Sequence, residues 1–137
     1  MAKRRATRTE ECPCGSGRGY AACCGRFIDG AESAPTAEAL MRSRYTAYAT
    51  GRSDYVLATW HPSTRPTALD PDPELHWLGL RVVRTEAGGA ADAQGRVAFV
   101  ARAKRGGRAQ RLEELSRFLR EDGRWYYVDG EIAPPSG

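Results

Sequence analysis

The sequence has few of the features that mark membrane, secreted or catalytic proteins. It contains no run of about 18 apolar residues, the length that a membrane-spanning helix needs. The basic start, "MAKRRATRTEE", is not followed by the apolar stretch of a secretory signal. Histidine occurs only twice, cysteine is absent after position 24, and no phosphate loop, nucleophile elbow or dinucleotide fingerprint is present. These absences exclude a membrane span and predict a cytoplasmic chain without a recognisable catalytic set.

The four cysteines are crowded into one segment, residues 12–24, which is called the cysteine segment below; they are Cys12, Cys14, Cys23 and Cys24. A disulfide within either pair would be strained, because such close neighbours fit the required Cα separation poorly. A reducing cytoplasm disfavours bridges between the pairs. A reactive thiol needs a base nearby, and this segment contains no histidine. A metal site therefore explains the crowding better than a disulfide or a nucleophile.

Four thiolates satisfy the tetrahedral coordination that zinc prefers, and they leave no open position for water. Pro13, Gly15 and Gly17 favour a tight turn whose backbone N–H groups can point at the sulfurs. Iron accepts the same four ligands, so the pattern predicts zinc and leaves iron open. A closed site of this kind indicates a structural or docking role rather than hydrolysis.

The rest of the chain predicts two helices followed by strands. After a turn-rich linker at residues 30–36, Thr36 is the expected N-cap of a helix that runs to Thr50, with Gly51 just past its end. Ser53 is the expected cap of a second, short helix, which Pro62 ends. Its helical pattern stops there, and a loop rich in proline and aspartate follows.

From residue 75 onward the pattern changes to large apolar and β-branched residues, which predict strands in "LHWLGLRVVRTE", "GRVAFVARAK" and "RWYYVDGEI". "RGGR" and "EDGR" are turn signals, the second typical of a tight hairpin. The stretch between them, "AQRLEELSRFLR", has good helix formers, but a tight hairpin needs a strand to enter it. We therefore predict an α+β fold, two helices packed on a four-stranded antiparallel meander.

The stretch "CPCGSGRGYAACCG" resembles the SEC-C motif, the metal-binding tail first known from the SecA translocation ATPase. The runs "LMRSRYTAYATG", "DYVLATWHPSTRP" and "SRFLREDGRWYYVDG" resemble the YchJ family of small bacterial proteins. This resemblance runs from Cys12 to Gly130. It implies that all four cysteines are metal ligands and that residues 1–30 form a knuckle with a basic tail. It also implies that residues 31–137 form a nuclear-transport-factor-2-like cone with a pocket between helix and sheet.

One departure concerns partners: SecA-type tails carry a lysine cluster where this chain reads "RGYAA" at 18–22. The resemblance therefore supports the metal site and not ribosome or chaperone binding of the SecA kind.

The expected pocket of the cone has nine candidate residues: Arg44, Tyr45, Tyr48, Trp60, His61, His76, Glu114, Ser116 and Tyr126.

Three functional hypotheses follow. The leading one is a binding or adaptor protein, whose knuckle docks a protein partner or whose cone holds a small ligand. The second is a small enzyme of the cone superfold, with His61 or His76 as base and Glu114 nearby. The third is association with nucleic acid or the ribosome through the basic terminus and four further basic residues: Arg102, Lys104, Arg105 and Arg108.

Overall fold

The computed structural model describes residues 11–132, in which short helices precede an antiparallel sheet. The helical elements are a 3₁₀ turn at Tyr20–Ala22, α1 at Gly25–Ile28, α2 at Ala37–Ala49 and α3 at Ser53–Ala58. The strands are β1 at Leu75–Ala87, β2 at Gln94–Arg105, β3 at Arg108–Glu121 and β4 at Arg124–Ile132. Each strand pairs with the next in chain order, so the predicted meander is confirmed.

Helix α2 begins and ends where its capping residues dictate. The Thr36 hydroxyl accepts a hydrogen bond from the Ala39 backbone N–H at 3.1 Å, which satisfies a donor that the first helical turn leaves free. Gly51 lies just beyond the C-terminal end with φ of 77°, a conformation that glycine adopts without strain. The expected cap of α3 is wrong by one residue. Ser53 is the first helical residue, and Arg52 occupies the cap position without a side-chain hydrogen bond.

Two tight turns fix the register of the last three strands. Gly106 and Gly107 join β2 to β3, whereas Asp122 and Gly123 join β3 to β4, and all four residues have positive φ. This backbone conformation matches the right-handed twist of the flanking strands. The segment between the turns is accordingly a strand, although its composition suits a helix. Turn geometry outweighs helix propensity here.

The core lies between α2 and the inner face of the sheet. Val97, Phe99 and Ala101 of β2 belong to one buried cluster with Leu40 and Met41 of α2. The residues between them, Ala98 and Val100, are also buried but lie on the opposite face of the strand and outside this cluster. The four cysteines belong to the same buried cluster. The cysteine segment therefore packs against the cone as part of one core. The division into a knuckle at residues 1–30 and a cone at residues 31–137 stays a prediction.

An open sheet has two edge strands, and each is irregular or covered here. Strand β1 carries register shifts between Trp77 and Gly79 and again between Val82 and Arg84. On the other side, the chain that leaves α3 runs along β4. Backbone hydrogen bonds join the two stretches, from His61 N to the Tyr127 carbonyl at 2.7 Å and from Tyr127 N to the Thr59 carbonyl at 2.9 Å.

Candidate metal centre and cone cavity

The backbone of the cysteine segment folds the two cysteine pairs toward each other. The Cys12 N–H donates to the Arg18 carbonyl at 2.7 Å, which closes the loop between them. Gly15 and Gly17 provide the positive φ values, 81° and 87°, that this loop requires. The second pair follows the 3₁₀ turn, and α1 begins directly after Cys24. Both pairs are therefore held by local backbone structure.

The four sulfur atoms form one compact, buried group. All four Sγ atoms lie within 4.8 Å of one another, and Cys14 and Cys23 approach to 3.6 Å. The cysteine residues are no more than 5% exposed. A tetrahedral zinc site with metal–sulfur bonds of about 2.3 Å has sulfur–sulfur edges of about 3.8 Å. The donor set and its spacing thus fit a tetrathiolate metal ion.

Side chains contact the sulfurs in addition to the backbone of Cys14, which hydrogen-bonds to the Cys12 sulfur. The Ser16 hydroxyl lies 3.1 Å from Cys23 Sγ, and Thr46 of α2 donates to Cys24 Sγ at 3.3 Å. Arg42, one turn before Thr46, donates to the Cys14 carbonyl at 2.8 Å, with the sulfur 3.9 Å away. Helix α2 therefore supplies polar contacts around the candidate ligands.

The protonation equilibria of the thiols are strongly linked. Hydrogen bonding from Cys14 lowers the pKa of Cys12 far below its ordinary value. The same contacts with Cys12 raise the pKa values of Cys14 and Cys24, and burial adds to the increase for both. Four buried thiolates at these separations would repel one another strongly unless a cation lay among them. A metal ion that coordinates all four sulfurs meets that requirement.

A second feature is a cavity of about 180 Å³ between α2 and the inner face of the sheet. Its walls are mostly apolar and include Trp77, Phe99, Phe118 and Tyr127, which the sequence analysis did not single out. Six of the nine candidate pocket residues line it: Arg44, Tyr45, Tyr48, Trp60, Glu114 and Ser116. The other three, His61, His76 and Tyr126, do not belong to its lining.

Arg44 is the buried cation of the cavity. It is 5% exposed, and its Nη1 donates to the Val56 carbonyl at 2.7 Å and to the Thr59 hydroxyl at 2.8 Å. The guanidinium carbon lies 5.0 Å from the ring centroid of Trp60 and 4.5 Å from that of Tyr127. Burial lowers the pKa of Arg44 from its ordinary value, yet an arginine remains charged at physiological pH.

Glu114 is the carboxylate of the cavity. Its Oε2 atom accepts hydrogen bonds from the Ser116 hydroxyl at 2.6 Å and from the Tyr127 hydroxyl at 3.3 Å. The Glu114 side chain lies against Gly130, the β4 residue that pairs with Ser116, and a Cβ atom there would collide with the carboxylate. Glycine at this position therefore leaves the space that the acidic side chain occupies.

The two histidines lie outside this arrangement. His61 Nε2 lies 2.9 Å from Glu121 Oε2, and its Nδ1 lies 2.7 Å from the Ser63 hydroxyl. His76 lies on β1 opposite Lys104 of β2. Within residues 11–132, neither histidine lines the cavity that contains Glu114. The structure therefore does not bring a histidine to Glu114 for acid–base chemistry.

The chain matches two family models and a set of similar proteins. The model described as "YchJ, middle NTF2-like domain" matches residues 36–130, and the SEC-C motif matches residues 8–26. A UPF0225 protein from Chromobacterium violaceum is 63% identical, over 89% of this chain and 93% of its own. A UPF0225 protein from Streptomyces coelicolor is 53% identical, over 90% of this chain and 97% of its own.

Two solved structures resemble the whole arrangement. The solution structure of a SEC-C motif containing protein from Rhodopseudomonas palustris has a TM-score of 0.79 and 41% identity, covering 90% of this chain and 98% of its own. The crystal structure of a SEC-C motif containing protein from Psychrobacter arcticus has a TM-score of 0.75 and 26% identity, covering 96% of this chain and 88% of its own. Within residues 11–132, none of the helices has both the length and the apolar character needed to cross a membrane.

Proposed function

The chain belongs to the YchJ family, and from that premise we propose that it is a cytoplasmic ligand-binding protein whose cone cavity is held in shape by a structural zinc ion. Cys12, Cys14, Cys23 and Cys24 would hold the ion, which supplies a fixed tetrahedral crosslink and no open coordination position. Because the ligands must stay reduced, the cytoplasm is the fitting compartment.

One observation carries the proposal: α2 contacts the sulfur cluster and lines the cavity. Thr46 and Arg42 lie against the cysteines, whereas Met41, Arg44 and Tyr45 line the cavity. A helix that is anchored on one side also fixes the side chains on its other side. Metal ligation would thus stabilise the wall of the cavity without taking part in chemistry there.

Elemental analysis of the full chain, purified without chelator, is the direct test of the metal. We expect about one zinc per chain, and an iron content instead would revise the metal but not the site. Removal of the metal by a chelator should lower the unfolding midpoint and change the fluorescence of Trp60 and Trp77, which line the cavity. A chain that lacks metal and unfolds at the same midpoint would contradict the structural role.

Ligand binding needs its own test. The zinc-loaded chain should show chemical-shift changes confined to the cavity when small aromatic fragments are titrated, and Glu121, which lies outside the cavity, provides a resonance that should not move. If fragments bind elsewhere or not at all, the cavity is only a packing gap and the adaptor alternative gains support. That alternative places a protein partner on the exposed surface of the cysteine segment.

A second candidate function is supported by the basic hairpin that joins β2 and β3. Arg102, Lys104 and Arg108 are exposed there, and within residues 11–132 none of them forms an ion pair, whereas Arg105 pairs with Asp72. RNA binding through these residues should fall steeply between about 50 and 200 mM salt. The double variant Arg102→Gln, Lys104→Gln should weaken it, and binding that ignores both salt and substitution would count against this candidate.

A further inference from the structure

We propose that the cone cavity binds a small aromatic carboxylate that also carries a hydroxyl or amino donor, one ring in size. The proposal rests on the ligand-binding role given above and names the class of ligand. Three features of the cavity carry it: a buried arginine with free donors, aromatic walls, and a carboxylate with a free oxygen.

The first feature is the state of Arg44. A guanidinium has five N–H donors; Nη1 bonds the Val56 carbonyl and the Thr59 hydroxyl, and the Tyr48 hydroxyl takes a further bond, so part of the donor set remains for a ligand. No carboxylate lies within 4.0 Å of Arg44 in that part of the chain, although the residue is only 5% exposed. Burial of a cation is costly, and the charge of Glu114, which lies in the same cavity without forming an ion pair, offsets only part of that cost, as do the faces of Trp60 and Tyr127. A ligand carboxylate would complete the site through a two-pronged contact.

The second feature is the aromatic lining. Tyr45 and Trp77 meet edge to face with ring centroids 5.6 Å apart, and Trp60 and Tyr127 do so at 5.1 Å. These rings line a mostly apolar cavity, a setting that favours another aromatic ring. The volume of about 180 Å³ slightly exceeds that of a cavity of about 150 Å³ known to accept benzene. One ring with one or two small substituents therefore fits, and a larger polycyclic molecule does not.

The third feature is the position of Glu114 relative to Arg44. Both groups contact Tyr127: the guanidinium lies over its ring, and the carboxylate accepts from its hydroxyl. The two charges thus share Tyr127 as a neighbour and, within residues 11–132, form no direct ion pair with each other. Both hydrogen bonds to Glu114 end on Oε2, so within residues 11–132 Oε1 is available to accept from a ligand donor. A ring with a carboxylate at one end and a donor at the other satisfies both groups.

The entrance to the cavity is consistent with such a ligand. Tyr48 lines the cavity and is 42% exposed, so it lies at the mouth. This side chain borders both the cavity and solvent, which places the entrance for a small molecule beside it. The ligand therefore does not need the core to open.

The test is titration of the zinc-loaded full chain, followed by NMR, with four probes: 4-hydroxybenzoate, benzoate, p-cresol and benzylamine. We expect 4-hydroxybenzoate to bind at least about 10-fold more tightly than p-cresol, because a hydrogen-bonded charge is worth about that factor. Benzylamine, which can pair its ammonium with Glu114 but offers no carboxylate to Arg44, should also bind more weakly than 4-hydroxybenzoate. Equal binding of p-cresol and 4-hydroxybenzoate would overturn the ligand class while leaving ligand binding intact. Failure of all four probes would overturn both.

Substitutions assign the roles of the two charged groups. Arg44→Gln should remove the preference for 4-hydroxybenzoate over p-cresol, and Arg117→Gln is the matched control, since Arg117 pairs with Asp129 outside the cavity. If Arg44→Gln does not fold, Glu114→Gln keeps the proposal testable. It should reduce the preference for 4-hydroxybenzoate over benzoate, because the amide offers a weaker acceptor to the ligand hydroxyl. An unchanged preference in Glu114→Gln would contradict the assigned orientation.

Discussion

Replacement of Thr46 by valine tests whether the cone domain contributes to metal binding. The Thr46 hydroxyl is fully buried, donates to Cys24 Sγ at 3.3 Å and lies 3.6 Å from Cys12 Sγ. Valine has nearly the same shape, so the substitution removes the hydrogen bond and leaves the packing of α2 in place. A hydrogen bond to a charged group contributes about 1.5–3 kcal/mol. We therefore expect Thr46→Val to bind zinc about 10- to 100-fold more weakly, the range seen when partners of metal ligands are removed.

The measurement is competition with a chromophoric chelator of known zinc affinity at one fixed pH, because protons compete with the metal for thiolates. Thr50→Val is the matched control: it makes the same chemical change one turn later on the chain, where the hydroxyl bonds the Thr46 carbonyl and no sulfur. Equal affinity in wild type and Thr46→Val would refute the argument. So would an equal loss in both variants, because the effect would then come from the helix rather than from the sulfur contact.

Three further predictions concern stability. Burial raises the pKa of Tyr45 from its ordinary value of 10 to about 12. The contribution of the neutral phenol to the free energy of unfolding is therefore complete below pH 10 and is lost as the pH rises toward 12. In urea titrations, Tyr45→Phe should lose less stability than wild type over that interval. Phe118→Ala should cost about 3–5 kcal/mol by urea unfolding, whereas the exposed Ile132→Ala should stay within about 0.5 kcal/mol; similar losses would contradict the assigned core. Gly15→Ala should lower the thermal unfolding midpoint more than Gly17→Ala. Both glycines have positive φ, but only at Gly15 would a Cβ atom press on a β1 carbonyl, 3.1 Å away. A larger loss in Gly17→Ala would refute this steric argument.

Local signals in the sequence predict the fold well. The cap at Thr36, the glycine after α2 and the two turn motifs each act within a few residues, so their effect can be inferred from neighbours alone. The strand assignment of β3 is the clearest case, because the turns on both sides decide it against helix propensity. The metal ligands are predictable for the same reason, since all four cysteines lie in one short segment.

Contacts between distant residues are not predictable in this way. Thr46 is 22 positions from Cys24, and nothing in the local pattern of α2 marks its hydroxyl as a partner for sulfur. Glu121 is 60 positions from His61, so the local pattern around the histidine does not reveal that the fold brings Glu121, rather than Glu114, close to it. Tyr127 was absent from the candidate pocket for the same reason, although it contacts both charged groups. Such pairings depend on strand register and on how α2 crosses the sheet.

The covered β4 edge and the bulged β1 edge limit how copies of the protein can associate at high concentration. A bare edge strand offers unpaired N–H and C=O groups to any other chain and invites growth of a shared sheet. Here the chain after α3 already occupies part of the β4 edge at Tyr127, and two bulges disturb the β1 edge. In the part of the chain from residue 11 to 132, neither edge strand therefore offers another copy a long, flat stretch to join. An open four-stranded sheet can in this way remain dispersed without closing into a barrel.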